Sequence, residues 1–403
     1  MNYSEALAWL YATQRYGIKL GLDNVTRLFH ELRLTFGEHV IHVAGTNGKG
    51  SVCAMMDAIC RAANYRTGLF TSPHLVSFRE RIRVSGENIP EDEVASGLTA
   101  IRDLVAGWET HPTFFEVTTA LALMHFQKSD CQVLILETGM GGRLDATNAV
   151  TSSVSVITPI DFDHEKWLGY SLEEIAVEKA GIIKPHVPVV VAAQHAKVET
   201  VIRKKAAECD APLQIVTEPW TKTAVALAGS HQRLNAAIAV AALRASSLMI
   251  SDASIANGLQ QVPWPARFQR WDERIVIDGA HNPSGVRALV QTWCEEFGAE
   301  TATIILAILR DKNAAIMVQA LSPIARRVFL PQIRSERAES PAHLGNFVAA
   351  AGLESATFSS TAEAISAARD FPERILIAGS LHFAGEVIAI LIGNPKALEE
   401  CLQ

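Results

Sequence analysis

The apolar positions of this chain follow two alternating rhythms. Short Val- and Ile-rich runs, such as HVIHVA at 39–44 and VLILE at 133–137, alternate with stretches whose apolar residues recur at helical spacing, such as VCAMMDAICRAA at 52–63. That alternation predicts α/β architecture around a parallel-type sheet. The runs predict strands at 39–44, 132–137, 153–158, 187–192, 274–277, 303–307, 327–330 and 374–378. Helices are expected at 118–127, 172–180, 198–208 and 232–247. The opening MNYSEALAWLYATQRYG reads as an amphipathic helix, with neither the basic start nor the apolar centre of a signal peptide. No run is long and apolar enough to span a bilayer.

The rhythm breaks at 262–272, VPWPARFQRWD, where two prolines and two tryptophans precede a fresh strand, RIVID. With 403 residues, two domains are expected, and the break places them at 1–268 and 269–403. Composition adds exclusions. The net charge of −7 argues against a nucleic-acid surface, which carries a basic balance. The mean hydropathy of +0.15 is that of a globular chain. Six cysteines, at 53, 60, 131, 209, 294 and 401, contain no C-x-x-C pair, which argues against a zinc site or a disulfide framework. A reducing, cytoplasmic location is the expectation.

In parallel sheets, sites gather at the carboxyl ends of strands, and the candidate chemistry falls there. HVAGTNGKGS, residues 42–51, runs from a strand into a glycine-rich loop. Such a loop turns backbone N–H groups toward a polyphosphate, Lys49 adds charge, Ser51 offers a hydroxyl to Mg²⁺, and the next helix aims its N-terminus at the anion. Gly50 stands between Lys49 and Ser51, a departure from the usual P-loop, and an ordinary strand-to-helix turn is the plain alternative. VLILE ends in Glu137, where P-loop proteins place a carboxylate for Mg²⁺, and the glycines that follow predict close approach of a ligand. SVITPIDFDH ends in Asp161, Asp163 and His164, groups suited to a divalent cation. EEIAVEKAGIIK, with Glu174 and Glu178 four apart and Lys179 beside them, reads on its own as a charged surface helix. After Ser72-Pro73 come His74, Arg79, Arg81 and Arg83, either a mobile loop touching an anionic substrate or a solvated charged loop. IVIDGAHNP places Asp278 at a strand tip, suited to a ribose hydroxyl, and His281 where it suits a phosphate or a cap. Asn282 then suits the N-cap of a helix starting at Pro283. Arg310, Asp311 and Lys312 form a third strand-end cluster.

Taken in order, GTNGKGS, TSPHL…F-x-ERI, FFEVTT, LETGMGGRLDATN, DH…LG…EKAGI-x-K, HQ-x-x-N, DGAHNP and the DK of LRDKN resemble the folylpolyglutamate synthase/dihydrofolate synthase family of the Mur-ligase superfamily. The resemblance covers nearly the whole chain. It implies a P-loop Mur-ligase ATPase domain with a pterin/folate site at 1–268, then a smaller Rossmann-like glutamate ligase domain at 269–403. It implies that ATP phosphorylates a substrate carboxylate and that the amine of L-glutamate attacks the acyl phosphate. The acceptors would be dihydropteroate and tetrahydrofolate polyglutamates. Positioning and charge neutralisation would carry the catalysis.

By resemblance, Gly48, Lys49, Gly50 and Ser51 hold the phosphates, and Asn235, Arg267, Asp278 and His281 are further ATP contacts. Ser51, Ser72, Glu137 and His164 match ligands of two Mg²⁺ ions. Lys49, Lys179, His164 and Glu137 form the catalytic set, with Lys179 at the position that is carbamylated in the family. Leu144, Asp145, Ala146 and Thr147, with Arg79, match the substrate side. Potassium is a further implied cation, and a monomer without nucleic-acid or membrane partners is expected. Ala266 and Ala307 stand where relatives have glycine; both are small, so close backbone approach is expected to survive. Lys19 and Asn24 depart from the family near the pterin pocket and bear on substrate preference. The alternatives are a monofunctional folylpolyglutamate synthase, a Mur-like ligase for another acid, a P-loop NTPase acting as a regulatory or transport module, and an inactive binding protein.

Overall fold

The computed structural model describes residues 1–17, 21–37 and 39–399. Lys19 and Cys401 lie outside the described residues. Contacts divide the chain into two compact units. The first comprises Met1–Ser72, Arg79–Ala226 and Leu234–Val262; the second comprises Pro73–Phe78, Leu227–Arg233 and Pro263–Gln403. The short segment Pro73–Phe78 is fixed to the second unit by Leu75, which packs in its core. Glu399 helps, its carboxylate accepting from Ser77 Oγ at 3.2 Å and from Phe78 N.

The first unit is built on an eight-stranded sheet. Its strands are β1 (His39–Ala44), β2 (Thr67–Phe70), β3 (Ile82–Val84), β4 (Glu87–Asn88), β5 (Val133–Glu137), β6 (Val154–Ile157), β7 (Val189–Ala192) and β8 (Leu213–Val216). Their spatial order is β4-β3-β2-β5-β1-β6-β7-β8. From β2 through β8 all neighbours are parallel, and β3 and β4 add an antiparallel edge. Helices cover a parallel sheet on both faces, which is why β1 and β5 are near-continuous apolar runs.

The second unit carries six strands: β9 (Gln269–Arg270), β10 (Ile275–Ile277), β11 (Ala302–Leu306), β12 (Ala325–Pro331), β13 (Ser355–Phe358) and β14 (Arg374–Ala378). They lie in the order β13-β12-β11-β14-β10-β9, parallel except for β9. One face of this sheet packs around Trp293, with Phe268 and Phe297 against it.

All eight strands expected from the sequence are present. Among those it did not foresee, β2 is four residues long and contains Gly68, β8 is a half-buried edge strand interrupted by the exposed Gln214, and β13 is largely exposed. Two expectations are corrected. The segment after Ser72 is not a solvated charged loop: His74 and Arg81 are each 1% exposed. Arg81 is covered by Phe114, whose ring lies 5.4 Å from the guanidinium carbon, and the chain from Ile82 to Val84 becomes β3. The helix Leu172–Ala180 forms where expected, but it is not a plain surface helix, because Lys179 is 4% exposed. Among the described residues no helix is long and apolar enough to cross a membrane.

Candidate active site

The order β2-β5-β1-β6 brings four strand ends side by side. Ser72 follows β2, Glu137 ends β5, the glycine-rich loop follows β1, and Asp161–His164 follow β6. Sequence positions 51, 72, 137 and 164 thus meet at one edge because of strand order, not proximity along the chain.

The glycine-rich loop is shaped by two residues that must lack a side chain. Gly45 has φ +148°, and a Cβ there would overlap Thr158 beyond β6. Gly48 has φ +88° and caps the helix Lys49–Ala62; a Cβ there would lie 2.7 Å from Asn235 Oδ1. Asn235 therefore rests against the loop. Thr46 N and Asn47 N donate to Pro159 O at 2.9 and 3.2 Å, tying the loop to the chain after β6.

Lys49 curls back on this loop, its Nζ donating to Gly45 O and Thr46 O at 3.2 Å each. Lys179 reaches the same carbonyl from the helix Leu172–Ala180, Nζ to Gly45 O at 2.7 Å. Burial, then the charge of Lys49, push the Lys179 amine down to about 7; Asp163 and Asp145 oppose this. A lysine so poised is partly a neutral nucleophile near pH 7.

Glu137 is 4% exposed and its Oε2 accepts from Ser72 N at 3.1 Å. The Ser72 hydroxyl is buried with no hydrogen-bond partner. A buried carboxylate beside an orphaned hydroxyl is a hard-oxygen donor pair, and it fits Mg²⁺. Ser51 lies buried in the first turn of the helix Lys49–Ala62. His164 holds a left-handed backbone (φ +52°), a conformation that histidine adopts more readily than most side chains. Its side chain is about a third exposed, with Nε2 4.0 Å from Asp163 Oδ1. Among the described residues no three His, Cys, Asp or Glu side chains form a ready-made metal cluster. Mg²⁺ takes one or two protein carboxylates and completes its shell with phosphate and water.

The loop after β5 is braced by Asp145. Its Oδ2 accepts from Gly139 N (2.9 Å) and Met140 N (3.0 Å), and its Oδ1 from Thr147 N (3.0 Å) and Thr147 Oγ1 (2.5 Å). Burial pushes this carboxyl up, and the four bonds oppose it. Ala146 and Thr147 are buried, while Leu144 is half-buried. Arg143 pairs with Glu178 at 2.8 Å, which lays the loop over the helix carrying Lys179. Arg79 Nε donates to Ile89 O at 2.6 Å, and its guanidinium pairs with Glu91 at 3.5 Å. Sequence reasoning passed over His42, which bonds Thr147, and Phe115, whose ring lies where a Cβ on Gly139 would point. The signal for His42 was there: a histidine inside an aliphatic run, three residues before the glycine loop.

In the second unit, Asp278 follows β10. Its Oδ2 accepts from Phe268 N (2.7 Å) and its Oδ1 from Ala280 N (2.8 Å). Burial pushes its carboxyl up, opposed first by Arg267. The Arg267 guanidinium lies 2.8 Å from where a Cβ on Gly279 would stand. His281 Nδ1 sits 2.8 Å from Gly279 O, and Asn282 caps the helix Pro283–Phe297, with Oδ1 accepting from Gly285 N. Arg267, Asp278 and His281 thus form one group. His231 lies near it and is held below the usual imidazole range by burial. Asp311 bridges Lys312 (3.5 Å) and Arg337 (3.1 Å) as a separate cluster.

Residues 43–215 match the Mur ligase middle domain, and residues 266–381 match the Mur ligase glutamate ligase domain. The chain is 32% identical to the dihydrofolate synthase/folylpolyglutamate synthase of Bacillus subtilis, over 96% of this chain and 98% of the relative. It is 33% identical to the Escherichia coli protein of the same name, over 96% and 94%. Among solved structures it is similar to E. coli FolC in complex with DHPP and ADP, with a TM-score of 0.86 at 31% identity, covering 96% of this chain and 98% of that one. It is also similar to the Yersinia pestis bifunctional folylpolyglutamate synthase/dihydrofolate synthase complexed with AMPPNP and Mn ion, with a TM-score of 0.89 at 32% identity, covering 97% and 98%.

Proposed function

Because the chain belongs to the dihydrofolate synthase/folylpolyglutamate synthase family of Mur ligases, we propose that its site joins L-glutamate to dihydropteroate and to folate polyglutamates at the expense of ATP. The observation that carries this reading is the meeting of Lys49 and Lys179 on Gly45 O, beside a strand-end carboxylate. A carboxylate is a poor electrophile. An oxygen of the acceptor acid attacks the γ-phosphorus, the bond to the β-phosphate oxygen breaks, and ADP leaves. The glutamate amine then attacks the acyl carbon, the C–O bond breaks with its electrons going to phosphate, and the amine loses a proton.

The residues of the first unit suit these needs. Lys49 exchanges its loop carbonyls for phosphate oxygens, and the N–H groups of Gly48, Gly50 and Ser51 lie at the helix N-terminus. Ser51, Ser72, Glu137 and His164 would hold Mg²⁺, two ions in all. Bound there, the metal supplies positive charge to the transferring phosphoryl group. Asn235 and, in the second unit, Arg267, Asp278 and His281 are assigned to the nucleotide. Residues 144–147 are assigned to the pterin side of the acceptor, through Leu144 and the backbone, since the Asp145 oxygens are occupied. Arg79, held by Ile89 and Glu91, receives no assignment. Residues 269–403 are assigned the glutamate ligase role.

Lys179 is assigned as a carbamate. Its neutral amine forms an N–C bond to CO₂ and releases one proton, which leaves an anion where the protonated lysine would have been a cation. This accounts for a buried lysine with its acidity shifted so far.

The test is glutamate-dependent phosphate release with ATP and Mg²⁺, in K⁺ and in Na⁺, offering dihydropteroate and tetrahydrofolate separately and reading products by mass. A glutamate-sized gain on both acceptors is the expected result. Gain on tetrahydrofolate alone would make the enzyme monofunctional. ATP hydrolysis without gain on either would refute the reading.

A further inference from the structure

β1 holds one polar residue at the centre of its buried run, His42, 1% exposed. Its Nε2 lies 2.7 Å from Thr147 Oγ1, and its Nδ1 is buried with no hydrogen-bond partner. The protons can be placed by counting. Asp145 receives three backbone N–H groups and the Thr147 hydroxyl, so both its oxygens are acceptors and it is a carboxylate. The Thr147 hydroxyl gives its single proton to Asp145. The remaining contact therefore needs a donor from His42, which fixes the Nε2–H tautomer and leaves Nδ1 bare. Burial, with Lys184 next, pushes the ring down to about 3, so the imidazole is neutral near pH 7 and carries a single N–H.

This chain links two loops. Asp145 pins the loop after β5 at both ends, at Gly139–Met140 and at Thr147. His42 anchors it to β1, three residues before Gly45 of the glycine-rich loop. We propose that His42 is a positioning residue that sets the acceptor-acid loop, through Thr147 and Asp145, in register with the phosphate loop. The inference rests on the reading that residues 144–147 face the pterin-bearing acceptor. Its chemical logic is that in-line attack on phosphorus tolerates little displacement of the acid.

The test compares wild type, His42→Leu and His42→Gln by calorimetric titration with dihydropteroate and, separately, with ADP and Mg²⁺, alongside melting temperatures. Gln is the informative rescue, because its Nε2 donor stands the same number of bonds from the backbone as that of histidine. The expected result is dihydropteroate binding weakened about tenfold or more in His42→Leu, ADP binding unchanged, and the acceptor affinity restored in His42→Gln. Equal weakening of both ligands, or of neither, would make His42 an ordinary core residue and overturn the inference. If His42→Leu does not fold, His42→Met removes the same donor with a flexible apolar side chain, and the same split is read. Nitrogen-15 spectra of the imidazole give a second arm: an Nε2–H signal, absent in His42→Gln, is expected, and an Nδ1–H signal overturns the inference. A wild-type protein that binds ADP but not dihydropteroate would instead refute the functional reading, and the inference with it.

Discussion

Lys179 shows how far a single residue can depart from its local sequence. EEIAVEKAG has the charge pattern of a solvated helix, and Glu173, Glu174 and Glu178 do keep partners at the surface. Lys179 differs because the glycine-rich segment after β5 packs over the helix, with Gly142 so close that a Cβ would meet the carbonyls of Glu178 and Lys179. That is a tertiary event between segments some forty residues apart, and no local period reports it. The consequence is a pH dependence with a definite sign. The amine sits near 7 in the folded chain and at the ordinary lysine value of 10.5 when exposed. Between those values the unfolded chain binds more protons, so stability rises with pH. In CO₂-free buffer, urea titrations should show this group adding up to about 5 kcal/mol between pH 7 and pH 10.5. Lys179→Met should lose that slope. A slope unchanged in Lys179→Met would show that the lysine is not desolvated in solution. In ligation assays Lys179→Ala should fall by roughly 10²-fold or more, with partial recovery on adding short carboxylic acids that stand in for a carbamate. Full activity in Lys179→Ala would dismiss the carbamate.

The elements were more legible than the residues, for a physical reason. Central parallel strands are covered on both faces, so β1, β5 and β14 announce themselves as near-continuous apolar runs. Edge strands such as β8 and β13 do not, since one side of the sheet edge is uncovered and polar or small residues interrupt them. The carboxyl-end rule then located the phosphate loop, Glu137 and Asp278 directly. Strand order decided which of these ends are neighbours, and no pattern in the sequence gives that order. The segment 266–268 makes the point from the other side. The backbone at Ala266 is left-handed, φ +56°, with Phe268 also left-handed at +46°. The turn that delivers Phe268 N to Asp278 is therefore kept at the cost of strain. A left-handed alanine costs about 1–2 kcal/mol. Removing its buried methyl loses about 0.8 kcal/mol of burial. Ala266→Gly should thus leave unfolding free energy level or higher by up to about 1 kcal/mol, measured by urea denaturation. A clear loss would mean that the methyl contributes more than the strain costs.

At the scale of the whole molecule, every organic ligand assigned to this chain is an anion, while the chain itself carries a net −7. Recognition must therefore be local, supplied by a few oriented cations, a helix N-terminus and a metal, because the overall charge repels these ligands. Local recognition of this kind is read through its linkage to folding. A ligand that binds only the folded chain stabilises it, by about 2.7 kcal/mol at a hundred times its dissociation constant. For folded units of this size that corresponds to a rise in melting temperature of roughly 5–10 °C. AMPPNP with Mg²⁺ should produce such a rise, and AMPPNP with EDTA a smaller one, because Lys49 and the loop N–H groups bind phosphate without metal. Glu137→Gln separates the two contributions. The amide keeps the shape and an oxygen for Ser72 N, but it removes the charge from a buried position whose neighbouring hydroxyl has no partner in the chain. The variant should fold, keep the metal-free shift and lose most of the Mg²⁺-dependent increment. A full increment with an unaltered Mg²⁺ midpoint would remove Glu137 from the ligand set and leave the orphaned Ser72 hydroxyl to be explained by something other than magnesium.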